Sequence, residues 1–179
     1  MTLVKDAKVS RGYFIGIAEG PSIEDDRKYA AAILAQILGS PDNSRLHWAL
    51  VEGGLADECQ ASFDARNGCG DYYVFASCDP ANIAKVEQEI TNQISSLIES
   101  LTEQDTRRLI AKTATAATIA GEQPEGRMQR LGRHWTYLNR YETLEREVER
   151  MASVTLDDLR EVAKAYPISL KTIGRMLPG

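Results

Sequence analysis

The stretch Ser44–Ala56 constrains the fold of this chain more than any other segment. Leu46, Ala49 and Leu50 fall on one helical face, and Gly53–Gly54 supplies residues that adopt a positive φ at a helix end. An apolar helical pattern precedes this stretch, and two short strand patterns follow it. The segment therefore predicts two consecutive helices and then a β-hairpin.

The strand patterns place this hairpin among other strands. Tyr13–Ala18 alternates aromatic or β-branched residues with small ones, which predicts a strand. Two further strands, near Asp57–Ala65 and at Gly70–Ser77, flank Asn67–Gly68, a dipeptide typical of a tight hairpin turn. Ile168–Ile173 is predicted to be the final strand.

Helical periodicity and capping residues predict the remaining elements. Apolar residues recur every three or four positions from Ile83 to Leu101, which predicts a long amphipathic helix that begins at Asp79–Pro80. The Ala- and Thr-rich stretch Ala114–Ala120 suits close packing of a helix against the sheet. The other helices are predicted to begin at Ser22 with Asp25 in the capping-box position, at Thr102 with Asp105, at Gly126, at Glu142 and at Thr155.

This order of elements predicts an α+β fold rather than an alternating βαβ nucleotide-binding fold. We expect a single mixed, mainly antiparallel sheet covered on one face by several helices. The hairpin and the terminal strand should share that sheet with the Tyr13 strand. A chain of 179 residues suits one domain spanning residues 1–179, and a fragment of a longer protein is a second interpretation.

Charge argues against a nucleic acid as partner. The chain has 21 Lys and Arg residues against 26 Asp and Glu, a net charge of −5, so it offers no excess of cations to neutralise phosphates. Arg127, Arg130 and Arg133 recur at spacing three along one side of a helix. A solvated face, or pairing within the chain, is preferred to an acidic partner for these residues.

Compartment and redox state are only weakly indicated. No apolar run is long enough to span a bilayer, and no signal peptide opens the chain. Cys59, Cys69 and Cys78 are predicted to be packed thiols, although one disulfide stays open as an alternative. The compartment is unknown from sequence, and the cytoplasm is favoured over the periplasm.

An ordered set of short motifs resembles the C-terminal half of the insulinase-type zinc metallopeptidases, the family of pitrilysin and the mitochondrial processing peptidase. The matching residues are Leu38–Gly39, Ser44–Arg45–Leu46, Leu50 and Gly54–Leu55–Ala56 and, later, Ser153–Val154–Thr155 and Ala163–Lys164. The resemblance runs from about Tyr13 to Gly174. The family's half-domain usually has one more strand ahead of Tyr13, and this chain is expected to be too short for it.

Two positions depart from the family pattern. In active members, an Arg and a Tyr of this segment reach the substrate, where they can donate hydrogen bonds to a peptide carbonyl or an oxyanion. This chain has Val51 and Asp57 there, one residue closer together. Valine offers no donor and a carboxylate repels an oxyanion, so the resemblance implies that catalytic assistance is lost. A shifted alignment of the loop is the alternative explanation.

The zinc site of the family is also missing from the sequence. That site uses His-x-x-Glu-His on a helix plus a distal Glu. The chain has only His47 and His134, far apart, and neither has a second His one turn away. We expect His47 on a helix flank, His134 in aromatic packing beside Trp135, and Glu142–Glu149 as an exposed helix face with Arg pairing. No metal or cofactor is therefore expected in this chain.

The resemblance implies a non-catalytic half of an insulinase-type zinc metallopeptidase. Such a half would enclose unfolded peptide opposite a homologous, zinc-bearing half or subunit, and would not be catalytic alone. The alternative is a proteolytically inactive structural or assembly module of the same fold, and a third reading is an unrelated α+β interaction domain. A homodimer is a further option for the partner.

Overall fold

In the computed structural model, which describes residues 2–179, five strands form one sheet. The strands are β1 (Thr2–Asp6), β2 (Gly12–Gly20), β3 (Glu58–Arg66), β4 (Cys69–Cys78) and β5 (Thr172–Pro178). Their order across the sheet is β1-β5-β2-β4-β3. β1 and β5 are parallel, and the other neighbours are antiparallel. The predicted mixed, mainly antiparallel sheet is confirmed.

Helices cover one face of this sheet, as predicted. They are α1 (Lys28–Gly39), α2 (Ile83–Ser96), α3 (Glu103–Glu122), α4 (Pro124–Leu138), α5 (Leu144–Ala152) and α6 (Leu156–Ala165). α1 packs on β3, and α2 packs on β2 and β4. α3, α5 and α6 form a second layer against α1.

The core lies between the sheet and its first helical layer. Val86 and Ile90 of α2, with Leu97 after it and Leu109 of α3, are all buried, as their periodicity predicts. β2 and β4 bury alternate residues such as Phe14 and Val74. The other side of these strands forms what we call the open face, which no helix within residues 2–179 covers. Its residues are Val4, Tyr13, Ile15, Ile17, Tyr73, Phe75 and Met176.

Local signals at the helix and hairpin ends behave as predicted. The Asp79 side chain accepts from the N–H of Ala81 at 2.9 Å, and Thr102 Oγ1 accepts from Asp105 at 3.1 Å. Thr155 and Asp158 form a reciprocal capping box. Gly68, in the hairpin turn, has a φ of 69°, which glycine adopts without steric cost.

Two expectations at the ends of the chain are wrong. A strand does precede Tyr13, because β1 pairs in parallel with β5. Leu3 and Val4 of this edge strand are both exposed, and two adjacent apolar residues do not give the alternating pattern of a half-buried strand. The last strand begins at Thr172 rather than at Ile168, whose side chain is buried outside any strand.

Two expectations about helices are also wrong. α1 begins at Lys28 and not after Ser22, because Asp25 accepts from the N–H of Arg27 at 2.9 Å and pairs with its guanidinium, which holds residues 23–27 as a turn. The Ala114–Ala120 stretch does not pack on the sheet. α3 contacts α1, α4 and α5, and most of this stretch is exposed.

Candidate functional site

The predicted helix after Ser44 is a short helical turn that widens into a π-helix at His47–Val51. Glu52 donates its N–H to the carbonyl of His47, five residues back, at 3.0 Å. Such widened turns are rare and are often found at functional sites. The segment therefore differs from the ordinary helix that its periodicity predicts, while Leu46 and Leu50 are fully buried as expected.

A sharp turn follows the π-helix and leads into β3. The carbonyl of Leu50 accepts from the N–H groups of Leu55 at 2.8 Å and Ala56 at 3.0 Å. Gly54 has a φ of 69°, so one of the two predicted positive-φ glycines is confirmed. Asp57 then donates its N–H to Ser77 at 2.8 Å, which places it directly before the sheet.

The Ser44–Arg45–Leu46 motif ties this segment to its surroundings. Ser44 Oγ accepts from the N–H of His47 at 3.2 Å. Arg45 donates to the carbonyl of Ser100 at 2.6 Å and to Asp105 at 3.3 Å, at the start of α3. The motif thus has a structural role, because it joins the π-helix to another part of the helical layer.

Val51 and Asp57 lie at the β3 end of the sheet, in different environments. Val51 is half-buried against the core. Asp57 is mostly exposed and forms an ion pair with Arg11, from the loop between β1 and β2. Hydrogen bonding to Asp57 raises the pKa of Arg11. The Asp57 carboxylate is therefore neutralised by a cation from a distant part of the sequence, whose role no local pattern predicts.

The two histidines have separate surroundings. His47 Nε2 lies 3.3 Å from Glu52 Oε1, and its ring is edge-on to Trp48. His134 is buried, with Nε2 3.8 Å from Glu147, while Trp135 points into solvent. The predicted aromatic packing of His134 is wrong, because its side of α4 faces charged groups instead.

The acidic run Glu142–Glu149 is not simply an exposed face. Glu142 is buried, with its carboxylate 3.2–3.7 Å from the guanidinium groups of Arg140, Arg146 and Arg150. Glu147 lies 3.6 Å from Arg130. The Glu142–Arg146 ion pair, four residues apart, is the Arg pairing that the sequence predicts. The burial of Glu142 and the pairing of Arg130 with Glu147 have no such local signal. The predicted pairing of Arg130 and Arg133 within the chain is observed.

Metal-binding chemistry is not assembled in the described part of the chain. Residues 2–179 contain no group of three or more His, Cys, Asp or Glu side chains that could hold a metal ion. The three cysteines are free thiols. Burial raises the pKa of Cys59 to about 12, and Cys78 is also buried. Cys69 is exposed, so the packed-thiol prediction is wrong for it.

The comparison with known families identifies the chain. The model of the peptidase M16 inactive domain matches residues 2–113. The chain belongs to this family. The M16 inactive domain is the non-catalytic half of zinc-protease-like proteins, which confirms the resemblance to the insulinase-type metallopeptidases. None of its helices within residues 2–179 has the length and apolar character needed to cross a membrane.

Two kinds of similar protein were found, namely relatives in sequence and solved structures with the same fold. An uncharacterized zinc protease of Streptomyces coelicolor is 26% identical over 159 residues, which are 88% of this chain and 35% of the relative. The chain spans about a third of the length of the curated relatives it matches. A peptidase M16 inactive domain from Pseudomonas fluorescens has a TM-score of 0.84 at 14% identity, over 99% of this chain and 43% of that one. A chain of Candida albicans complex III2 has a TM-score of 0.87 at 14% identity, over 98% and 45%.

Proposed function

We propose that this chain is the non-catalytic wall of a zinc metallopeptidase and works opposite a zinc-bearing half. The observation that carries the proposal is the π-helical segment, in which Leu46 and Leu50 are buried. Val51 and an Asp57–Arg11 pair occupy the positions that the resemblance aligns with the donors of active members. Relatives named zinc proteases, about two and a half times as long as this chain, support a second half.

Zinc belongs to the partner half in this proposal. The donors present here do not fit a catalytic zinc site, because His47 pairs with Glu52 while His134 is buried beside Glu147 and Arg130. A zinc ion needs its ligands converging at about 2 Å. When bound in the partner half, zinc would supply the activated water, and this chain would supply enclosure only.

Unfolded peptide is the proposed substrate of the assembly. It would form backbone hydrogen bonds with the outer edge of β1. The β3 edge is closed by Gly39, which abuts the N–H of Ala61, and by Arg133, which binds the carbonyl of Ala65. β1 is exposed along nearly its whole length. Extended peptides bind such edges through backbone hydrogen bonds. The cytoplasm is the preferred compartment, since three free thiols suit a reducing environment.

The second candidate is a proteolytically inactive assembly module of the same fold. The Arg11–Asp57 ion pair favours it, because a carboxylate held by its own cation is poorly placed to assist peptide hydrolysis. An assembly module would be indicated by a partner half that also lacks His-x-x-Glu-His.

The test is reconstitution with a zinc-bearing half from the same genome. The chain alone, incubated with unfolded peptides and zinc, should give no cleavage by mass spectrometry, and the mixture should give chelator-sensitive cleavage. Cleavage by the chain alone that copurifies through several columns would refute the proposal. A mixture without activity would favour the assembly module.

The reconstituted pair also tests Val51 and Asp57. The double variant Val51→Arg, Asp57→Tyr restores two donors, but the short spacing limits the expected gain to about tenfold in rate, or about 1.4 kcal/mol. Val51→Arg with Glu58→Tyr is the matched control, because Glu58 is the next residue and lies on the open side of β3. Equal cleavage rates for both double variants would show that Asp57 does not face the cleft.

A further inference from the structure

Helix α4 lies outside the apolar core of the domain. His134 is the one buried residue among its fifteen, all of which the structure describes. Within residues 2–179, neither the core nor the half-buried apolar residues packed against it include any residue of α4. Surface helices are normally fixed by an apolar face that is buried against the core. Contacts of another kind therefore keep α4 in place.

Arginine side chains fasten α4 to two other parts of the chain. Arg133 donates to Asp64 Oδ1 at 2.7 Å and also to the carbonyl of Ala65, both near the end of β3. Arg130 donates to the carbonyl of Glu142, ahead of α5, at 2.8 Å. Such polar contacts compete with water, so they fix a helix less firmly than buried apolar surface does.

The inner side of α4 is also incompletely packed. A cavity of about 450 Å³ lies under the helix, where Tyr29 of α1 and Phe63 of β3 form part of its wall. Three polar atoms of residues around this cavity have no hydrogen-bond partner among the described residues, namely Arg130 Nε, His134 Nδ1 and Glu147 Oε2. Unpaired buried polar atoms favour a state in which they reach water.

Both connections of α4 can act as hinges. Gln123 alone separates α3 from α4, and its backbone is extended, with a φ of −79° and a ψ of 133°. Asn139 ends α4 in the left-handed conformation, with a φ of 46°, and residues 140–143 belong to neither a helix nor a strand. Rotation about these two connections would move α4 as a unit and leave α3 and α5 intact.

His134 makes this contact sensitive to protons. Burial lowers its pKa below the ordinary value near 6.5, and the neighbouring Lys28 and Arg130 act in the same direction, while Glu147 opposes them. A helix that has left its place would expose the ring to water and bind the proton more readily, so a falling pH favours departure. The titratable and charged groups around the ring are Lys28 and Tyr29 of α1, Asp64 of β3, Arg130 and Arg133 of α4, Glu142, and Glu147 and Arg150 of α5.

We propose that α4 is a pH-dependent flap, which swings away as a unit between pH 7 and pH 5 while the sheet and the core helices stay folded. Its departure opens the cavity and frees the carbonyl of Ala65 from Arg133. The end of the edge strand β3 then becomes available for backbone hydrogen bonds.

The flap does not depend on the proposed peptidase function. Asp57 directly precedes the start of β3, whereas Asp64 and Ala65 lie near its other end. A failed reconstitution at pH 7 would leave the exchange experiment below unaffected. A helix α4 that stays in place at all pH values would likewise leave the cleavage result unaffected.

Native-state hydrogen exchange, read by mass spectrometry and corrected for the intrinsic effect of pH, tests the proposal. A detached helix of this length is marginal in water, so its amides exchange whenever α4 opens. At each pH, we expect the amides of α4 to be at least 100-fold less protected than those of α2. Their protection should fall roughly tenfold from pH 7 to pH 5, since one proton is taken up. Low urea concentrations should speed exchange in α2 and hardly affect α4, because opening α4 exposes little apolar surface.

Four variants separate the proton from the arginine contacts. His134→Gln, which is neutral at both pH values, should give the same α4 protection at pH 7 and pH 5, whereas His47→Gln should retain the difference. Asp64→Asn should lower α4 protection several-fold at both pH values. Asp71→Asn is its matched control, because Asp71 pairs with Arg66 in the same hairpin, and it should leave α4 unchanged.

Two results would overturn the flap. One is equal protection of α4 and α2, which would mean that α4 opens only when the whole domain unfolds. The other is a pH effect that persists in His134→Gln. If that variant has already lost α4 protection at pH 7, NMR titration of the unmodified chain decides. The ring of His134 and the amides of α4 should then change with one midpoint, and separate midpoints would refute the proposal.

Discussion

His134 lies on the inner side of α4, and its Nδ1 has no hydrogen-bond partner among the described residues. Burial lowers its pKa below the ordinary value near 6.5, although the Glu147 carboxylate opposes that shift. The ring is therefore neutral in the folded protein at pH 7. The charged and titratable groups around it are Lys28 and Tyr29 of α1, Arg130 and Arg133 of α4, and Glu142, Glu147 and Arg150 near or on α5.

A histidine with a lowered folded pKa makes stability depend on pH. The unfolded chain binds the proton more readily, so the free energy of unfolding should fall as pH drops below about 6.5. His134→Gln should abolish this slope between pH 7 and 5, as measured by urea unfolding at each pH, and His47→Gln should retain it. The lowered pKa values of Asp25, Asp42 and Asp64 act in a separate window, near and below pH 4. An unchanged slope in His134→Gln would contradict the assignment.

Between elements, α1 approaches β3 closely. A Cβ added at Gly39 would lie 2.2 Å from the N of Ala61, a backbone atom that cannot move aside without disturbing the sheet. Leu38, beside it, is fully buried. The Leu-Gly pair of the family pattern thus has a physical role, because glycine permits the end of α1 to lie against the edge strand.

Two glycine substitutions separate this contact from helix propensity. Gly39→Ala should lower the free energy of unfolding by about 1–3 kcal/mol or more, as overpacking does. Gly132→Ala, in the open middle of α4, should raise it by about 0.5–1 kcal/mol, because alanine favours the helix. Both are measured by chemical denaturation of dilute protein. Equal effects of the two substitutions would show that α1 does not approach β3 so closely.

For the whole molecule, the sheet joins the two ends of the chain. β1 pairs with β5, and β5 pairs with β2, so residues near both termini share one hydrogen-bonded structure with the hairpin. One continuous core includes residues from α1, α2, α3, α6 and the sheet. We propose on this basis that residues 1–179 fold as a single cooperative domain.

Unfolding should therefore proceed in one transition. Circular dichroism and the fluorescence of Trp48 and Trp135 should give coincident curves. Ile90→Ala, at a fully buried position of α2, should shift both curves together and cost about 2–5 kcal/mol. Separate transitions would refute the single domain, and a loss below roughly 0.5 kcal/mol would place Ile90 outside the core.

The sequence by itself determined the features with short-range causes. The hairpin at Asn67–Gly68, the amphipathic α2 and the capped α6 each depend on residues a few positions apart. The short motifs that resemble the family are local in the same way. Tertiary structure decided the rest. β1 pairs with β5 from the other end of the chain, Asp57 pairs with Arg11 from another loop, and His134 of α4 is buried beside Glu147 of α5. Such contacts join residues that are distant along the chain, and periodicity cannot report which surfaces the fold will cover.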